Sequence, residues 1–547
     1  MSAYGKITWQ FFGLAMTSLL ADAFALTGVP AQAQPPSATA IYVTDMSRCQ
    51  PQAALSPQLK QDCWRLITYK TVESSPGSGT MIGAISYIDA PDVTLPLNVT
   101  GWHAVYVGFW NPHYAYDSGT TVKVKLDDDP CFTRIAEPEP AIDYNATYIK
   151  EAPFKAADLT GRTLQFGMVH GRFAKKAYIA YVKLVPLSAQ QVADLQAERA
   201  RKDTRVLRGT IDGYSYFSSN EYRTREHIME LIEPYRYSDV GKIIWSINVY
   251  GDQTNYPTKV GTYWAEQRAV PIVSAKSDYV AGEKAAYDSL RSLAEKNIIP
   301  EAVAAEHAHA MGLKFDVMFR MGVTGEIPLA NGPKSFVLTH PQFRQVMRDG
   351  TPIEKASYAF PEVRNLVVSI IREAAETFDI DGVNLCFMRG PEFMAYEKPV
   401  LDDFRKKYHE DARKVAFDDP RMRDIHCRYL NKFVRNVRQT LDEVGKKKGG
   451  KKLELSAMGL GVPNVNIGHG MDTEYWIKQG WLDGGLINVV WDIDSQQDSL
   501  TLWPVLQRSG HPKAEQAAPT PLTTVRLKTV GGCDVLQGLR EAVYSGG

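Results

Sequence analysis

Two stretches of this chain each end in a pair of carboxylates. Glu392 and Glu397 follow the apolar run DGVNLCFMR (381–389), and Asp492 and Asp494 end the run GLINVVWDID (485–494). Two carboxyl groups facing each other across a glycosidic bond can cleave it, one as acid and the other as base or nucleophile. The separation they need is about 5 Å for retention and about 6.5–9.5 Å for inversion. Residues that could hold a sugar fall at or near the ends of the same and similar runs, Tyr214, Tyr250, Asp252, Arg320, Arg389, His469 and Trp491, with Asn384 inside the fourth run. Any one of these carboxylates can equally be a loop residue or a helix N-cap. Arg320 and Arg389 read first as internal salt bridges to Asp381, Glu392 or Glu326, and second as a clamp on an acidic sugar. The constellation as a whole points to function.

Such groups need elements that present them together. After residue 205, strand-like runs alternate with helical ones. The runs at 208–217, 242–252, 314–322, 381–389, 452–461 and 485–494 are short and rich in Val and Ile. Strands apolar on both faces fit a parallel sheet covered by helices. The helical run PEVRNLVVSIIREAAETF places Val363, Leu366, Val367, Ile370, Ile371 and Ala374 on one stripe of period 3.6. Six strand–helix units in order favour an α/β fold of the (β/α)8 TIM-barrel type, with function at the C-terminal ends of the strands. VRLKTV (525–530) and DVLQGL (534–539) are weak candidates for strands seven and eight. In the fourth strand Asn384, Cys386 and Met388 share one face, which we expect to turn toward the barrel axis. Asp381 opens that strand, so a structural role is expected of it.

The domains expected from texture are a signal peptide (1–33), a flexible mature N-terminus (34–79), an antiparallel β-sandwich with a possible carbohydrate-binding role (80–187), a linker (188–204) and the barrel (205–547). The apolar run Phe11–Leu26 ends near Ala31-Gln32-Ala33, a pattern for signal peptidase. That implies export and, after cleavage, no membrane span. The sandwich is suggested by WHAVYVGFW (102–110), TVKVKLDD (121–128), TLQFGMVH (163–170) and AYIAYVKLVPL (177–187). Lys+Arg and Asp+Glu both number 62, so no basic footprint marks a nucleic-acid partner. Cys49 and Cys63 are the best candidates for a disulfide. The six cysteines have no metal-ligand spacing, so no metal site is expected, and no cofactor. His307 and His309 stand two apart on a helix, face different ways and read as surface or packing residues.

The stretch YAFPEVRNLVVSIIREAAETFDIDGVNLCFMRGPEFMAYE (358–397) resembles the glycosyl hydrolase-like 10 family. Pro361, Val363, Arg364, Asp379, Asp381, Gly382, Arg389 and Pro391 match its pattern, and GMDTEYWIKQGWLDGGLINVV (470–490) resembles its approach to a late strand. The resemblance covers roughly 208–495 and implies a TIM barrel that hydrolyses O-glycosyl bonds. The chain departs from the pattern at Cys386, where many relatives carry an aspartate. A neutral thiol cannot replace a carboxylate there without activation, which moves the expected chemistry to the loop carboxylates. The partner is then a carbohydrate, and the alternatives are a non-catalytic carbohydrate-binding barrel and a polysaccharide lyase with His469 or a tyrosine at the mouth as base.

Overall fold

Strands with alternate buried residues build the first part of the chain. In Trp102–Trp110, Val105, Val107 and Phe109 are buried, while Tyr106 and Trp110 are only half-buried. The computed structural model describes residues 39–487, apart from 72–75, 86, 111–119, 137–148, 172–174, 267–277, 324–334, 389–391 and 461–462. One sheet runs Leu55–Ser56, Trp64–Lys70, Ser78–Ala84, Ala177–Pro186, Trp102–Trp110, Ile149–Asp158, with Ile41–Val43 added against Ala177–Pro186. A second runs Val93–Pro96, Thr163–Gly167, Thr121–Leu126, Thr133–Ala136. Val107, Ile179 and Leu184 of the first share one core with Leu95, Val124 and Phe166 of the second. Burying that shared face is what holds two half-wet sheets together.

The described residues of the expected flexible N-terminus include the strands Ile41–Val43 and Trp64–Lys70. Their Pro- and Gln-rich composition conceals Val43, Met46, Trp64 and, just beyond, Ile82, all buried in this core. Cys49 and Cys63 are buried but free, so the expected disulfide is absent. The expected linker contains a helix, Ala189–Ala200. It starts with a reciprocal Ser188/Gln191 capping box, and Arg199 ties it to the Ala156 carbonyl at 2.8 Å.

The second part is a parallel sheet of six strands in sequence order: β1 (Leu207–Ile211), β2 (Val240–Ser246), β3 (Lys314–Arg320), β4 (Gly382–Cys386), β5 (Glu454–Gly459) and β6 (Gly484–Ile487). These are the six runs expected from sequence. Sequential parallel order with a helix crossover between neighbours is barrel-type winding. The candidate seventh and eighth strands lie outside the described residues. Among the crossover helices are α1 (Asp278–Glu295), α2 (Pro300–Ala310), α3 (Pro361–Thr377), α4 (Lys398–Tyr408) and α5 (Pro420–Lys447). On α3, Val363, Val367, Ile370, Ile371 and Ala374 are fully buried as the stripe requires, and Leu366 lies at its edge.

The sheet has two unlike faces. Ile243, Trp245, Phe315, Val317, Phe319, Val383, Leu385 and Leu455 pack in the large core under the helices. The opposite face carries Lys242, Ile244, Asp316, Met318, Asn384, Cys386, Ser456 and Met458. At its N-terminal end Lys242 Nζ donates to Asp316 at 2.6 Å and to Glu454 at 2.7 Å, and Lys314 reaches Glu454 at 2.9 Å. Asp381 also works at this end. It accepts from the Phe315 N–H at 2.8 Å and from His309 at 2.9 Å, and lies 3.2 Å from Lys451. Burial raises its pKa, but these donors outweigh it and hold the carboxyl below the usual range. It fastens strand to helix, as its position suggested.

Candidate active site

All six strands run the same way, so their C-terminal ends form one edge. Just past β1, Asp212 binds Arg320 from the end of β3 through one oxygen and the Ser215 hydroxyl through the other. Arg320 also stands over the Tyr214 ring, 5.5 Å from its centroid. Tyr214 in turn meets Trp264 edge-on at 5.5 Å, and Trp264 stacks on Tyr287 at 3.9 Å. The aromatic tier fixes the ring, and the cation–π contact with the ion pair fixes the guanidinium.

The backbone beneath is fixed too. Buried Asn248 accepts from the Arg320 N–H at 2.7 Å and donates to the Arg320 carbonyl at 3.0 Å. Gly213 has φ +83°, and a Cβ there would collide with the Ser246 carbonyl oxygen. Gly213 therefore lets the turn lie against the end of β2 and aim Asp212 at Arg320. Gly213→Ala is expected to cost at least about 2 kcal/mol in urea unfolding, from left-handed strain plus the collision. A loss below about 0.5 kcal/mol would show that the turn relaxes freely.

A second group stands by the ends of β4 and β5. Glu392 is exposed and adopts φ +68°, with its carbonyl accepting from Gln345 Nε2 at 2.9 Å. A glutamate in the left-handed region carries strain that surrounding structure must hold. His469, after the short helix Pro463–Gly468, has its imidazole pushed toward neutrality by burial, with Glu392 opposing and Lys355 adding to the shift. Beside it His426 of α5 is almost fully buried, and burial takes its pKa down to about 4. The floor between the two groups is apolar: Ile244, Met318 and Cys386 are buried, and Met388 and Met458 partly cover them.

Several expected site residues lie elsewhere. Asn384 is fully buried one layer below the edge and donates to Ser456 Oγ at 2.9 Å. It sits two residues before the strand end, which is why it cannot line the mouth. Asp252 is 3 % exposed and accepts from the Phe336 N–H at 3.0 Å and the Thr262 hydroxyl at 3.2 Å. Burial pushes its carboxyl up to about 6 against those donors. Glu397 is 1 % exposed, with one oxygen taking the Ser357 hydroxyl and the other the Ala395 N–H at 2.9 Å. It staples its loop to the segment before α3 and is not a mouth acid; burial raises its pKa. Arg320 pairs with Asp212, an anion that was not among the expected partners, and Glu326 lies outside the described residues. Asp381 is at the opposite end of the sheet. Tyr250 lies in the short strand Asn248–Tyr250, but its side chain is outside the described residues, as are Arg389, Trp491, Asp492 and Asp494. The structure brings together Tyr214 and Arg320, and separately Glu392 and His469. Asp212, Ser215 and Asn248 were missed. The signal was available in Asp212-Gly213, an acid and a glycine directly after an apolar run.

No curated protein matches this chain. Among similar solved structures is the glycoside hydrolase domain of PgaB (BpsB) from Bordetella bronchiseptica, at 11% identity and TM-score 0.35, covering 56% of this chain and 82% of that one. Alpha-L-fucosidase isoenzyme 2 from Paenibacillus thiaminolyticus matches at 14% identity and TM-score 0.30, covering 47% of this chain and 32% of that one. The beta-galactosidase of the psychrophilic Marinomonas ef1 matches at 12% identity and TM-score 0.31, covering 51% and 40%. The chain thus spans about a third of the fucosidase's length and two fifths of the galactosidase's. At the level of sequence, residues 277–523 match the profile of the family described as Glycosyl hydrolase-like 10, the family that Tyr358–Glu397 resembles.

Proposed function

We propose that this chain is an exported glycoside hydrolase that cleaves O-glycosyl bonds of a polysaccharide with two carboxylates and no cofactor. The observation that carries the reading is the Asp212–Arg320–Tyr214 group at the strand ends, in a chain whose residues 277–523 match a glycosyl hydrolase-like family. A carboxylate, a cation and an aromatic ring beside an apolar floor are the components a sugar subsite uses. Glu392, exposed on the β4 loop, is assigned the acid. Asp212, held by Arg320 and Ser215, is assigned the base or nucleophile, with Asp492 and Asp494 as its competitors for that role. Export is supported by the run Phe11–Leu26 ending at Ala31-Gln32-Ala33.

The test is reducing-sugar release by residues 34–547 on neutral, uronic and sulfated polysaccharides. Glu392→Gln and one of Asp212→Asn, Asp492→Asn or Asp494→Asn are each expected to lower kcat by about 100-fold or more. Binding of one polysaccharide with no release from any would favour a carbohydrate-binding barrel, the reading that the Cys386 floor supports. Products absorbing in the ultraviolet would mark elimination with the neutral His469 as base, and would overturn hydrolysis.

A further inference from the structure

The seam between the β-layers and the helices around the parallel sheet collects charge from both sides. Lys123 and Arg134, from the second sheet, meet Glu221 and Glu230 from the segment after β1, with Arg134 2.7 Å from Glu221. Deeper in this seam lie three side chains of a different kind. Cys131 stands just before the strand Thr133–Ala136, Glu233 opens a short 3-10 turn after β1, and His307 is on α2. Their Sγ, carboxylate oxygen and ring nitrogen all lie within 4.8 Å of one another. Cys131 and His307 are 2 % and 5 % exposed.

We propose that Cys131, Glu233 and His307 form a site for a divalent metal ion of the zinc type, fastening the β-layers to the helical part. Thiolate, imidazole and carboxylate together are a borderline-soft donor set, which suits Zn²⁺ and disfavours Ca²⁺ or Mg²⁺. The supporting contacts fit. His307 Nε2 is 2.7 Å from Glu233 Oε2, and Arg236 binds Glu233 through Nε at 2.5 Å and through its terminal nitrogen at 2.9 Å. On binding, the His307–Glu233 hydrogen bond gives way to two metal bonds. Arg236 Nε remains on Oε1, the oxygen His307 does not touch, as an outer partner that orients the carboxylate. The thiol proton leaves to solvent as the metal–sulfur bond forms. Three protein ligands leave the fourth tetrahedral position to water, and Glu230 stays with Lys123 and Arg134. Each ligand comes from a remote part of the sequence, so no Cys or His spacing could announce the site.

The experiment is titration of the metal-stripped full-length mature chain with Co²⁺ and Zn²⁺, read by absorption and by elemental analysis after gel filtration. One equivalent of either metal is expected, with a thiolate-to-cobalt charge-transfer band in the near ultraviolet and tetrahedral bands in the visible. Cys131→Ser should abolish the charge-transfer band, and Cys131→Ser and His307→Gln should each weaken binding by at least about 100-fold. Substoichiometric zinc, a cobalt spectrum without the sulfur band, or unchanged affinity in Cys131→Ser would each overturn the site. The wild-type cobalt spectrum decides the matter even if a variant fails to fold.

Discussion

Lys242→Met is expected to destabilise the protein by about 3–5 kcal/mol in urea unfolding. The Lys242 ammonium sits between Asp316 and Glu454 at 2.6 and 2.7 Å, and the Asp316 side chain is entirely buried. Burial already raises the Asp316 carboxyl, and Lys242 is the first group opposing that rise. Removing the cation leaves a carboxylate that must either stay charged without a partner or take a proton at neutral pH. Both outcomes cost stability. Glu454 loses less, because Lys314 still reaches it at 2.9 Å. A matched replacement, Lys242→Met with Asp316→Leu and Glu454→Met, removes every charge at once and is expected to recover most of the loss. Apolar groups of similar volume replace buried ion clusters at little cost. A single variant within about 1 kcal/mol of wild type would mean that solvent reaches this end of the sheet.

Glu301→Gln is expected to act in the opposite direction. Glu301, in the first turn of α2, is 0 % exposed, and neither carboxylate oxygen has a hydrogen-bond partner in good geometry. Burial pushes its carboxyl from 4.5 up to about 8, with the helix backbone and the Trp245 indole pulling weakly the other way. The folded-state value lies above the unfolded one, so the sign is fixed. Wild type and Glu301→Gln should be similar in stability below about pH 4.5. As pH rises, the unfolded chain gains an ionised carboxylate that the folded chain refuses. The variant therefore gains on wild type, by about 3 kcal/mol at pH 7, and the gap stops widening above about pH 8. Urea unfolding at pH 4, 6, 7 and 9 reads this directly. A constant difference across that range would show that Glu301 is ionised in the folded protein with a partner of its own.

The periodic features were legible before any coordinates. Trp102–Trp110 and Ala177–Pro186 alternate, α3 carries its stripe, and six Val/Ile-rich runs recur with helices between them. Those patterns report burial on a single element, and burial is local in sequence. The Asp-Gly opening of β4 was readable for the same reason, since an acid at the start of a strand lies at the end of the sheet away from the mouth.

Partnership was not local, and tertiary structure alone decided it. Glu392 and Glu397 look alike in sequence, five residues apart on one loop. Chain folding exposes the first and wraps the second around Ser357 and Ala395. Asp252 ends the run 242–252 in the sequence, but the strand stops at Ser246 and the residues beyond it fold back into the protein. Asn384 faces away from the helix-packed side of its strand but two residues short of its end, and a two-residue step along a strand is a whole layer. Arg320 announced that it needed an anion, but Asp212, which it binds, lies just past the end of a strand two places away in the sheet. The sequence by itself determined which segments become strands and helices, because hydrophobic spacing is a property of each segment. Which charged and polar groups meet, at the mouth, in the Lys242 cluster and in the seam at Cys131, was decided by tertiary packing, because an ion pair or a metal set depends on distances between segments that no spacing encodes.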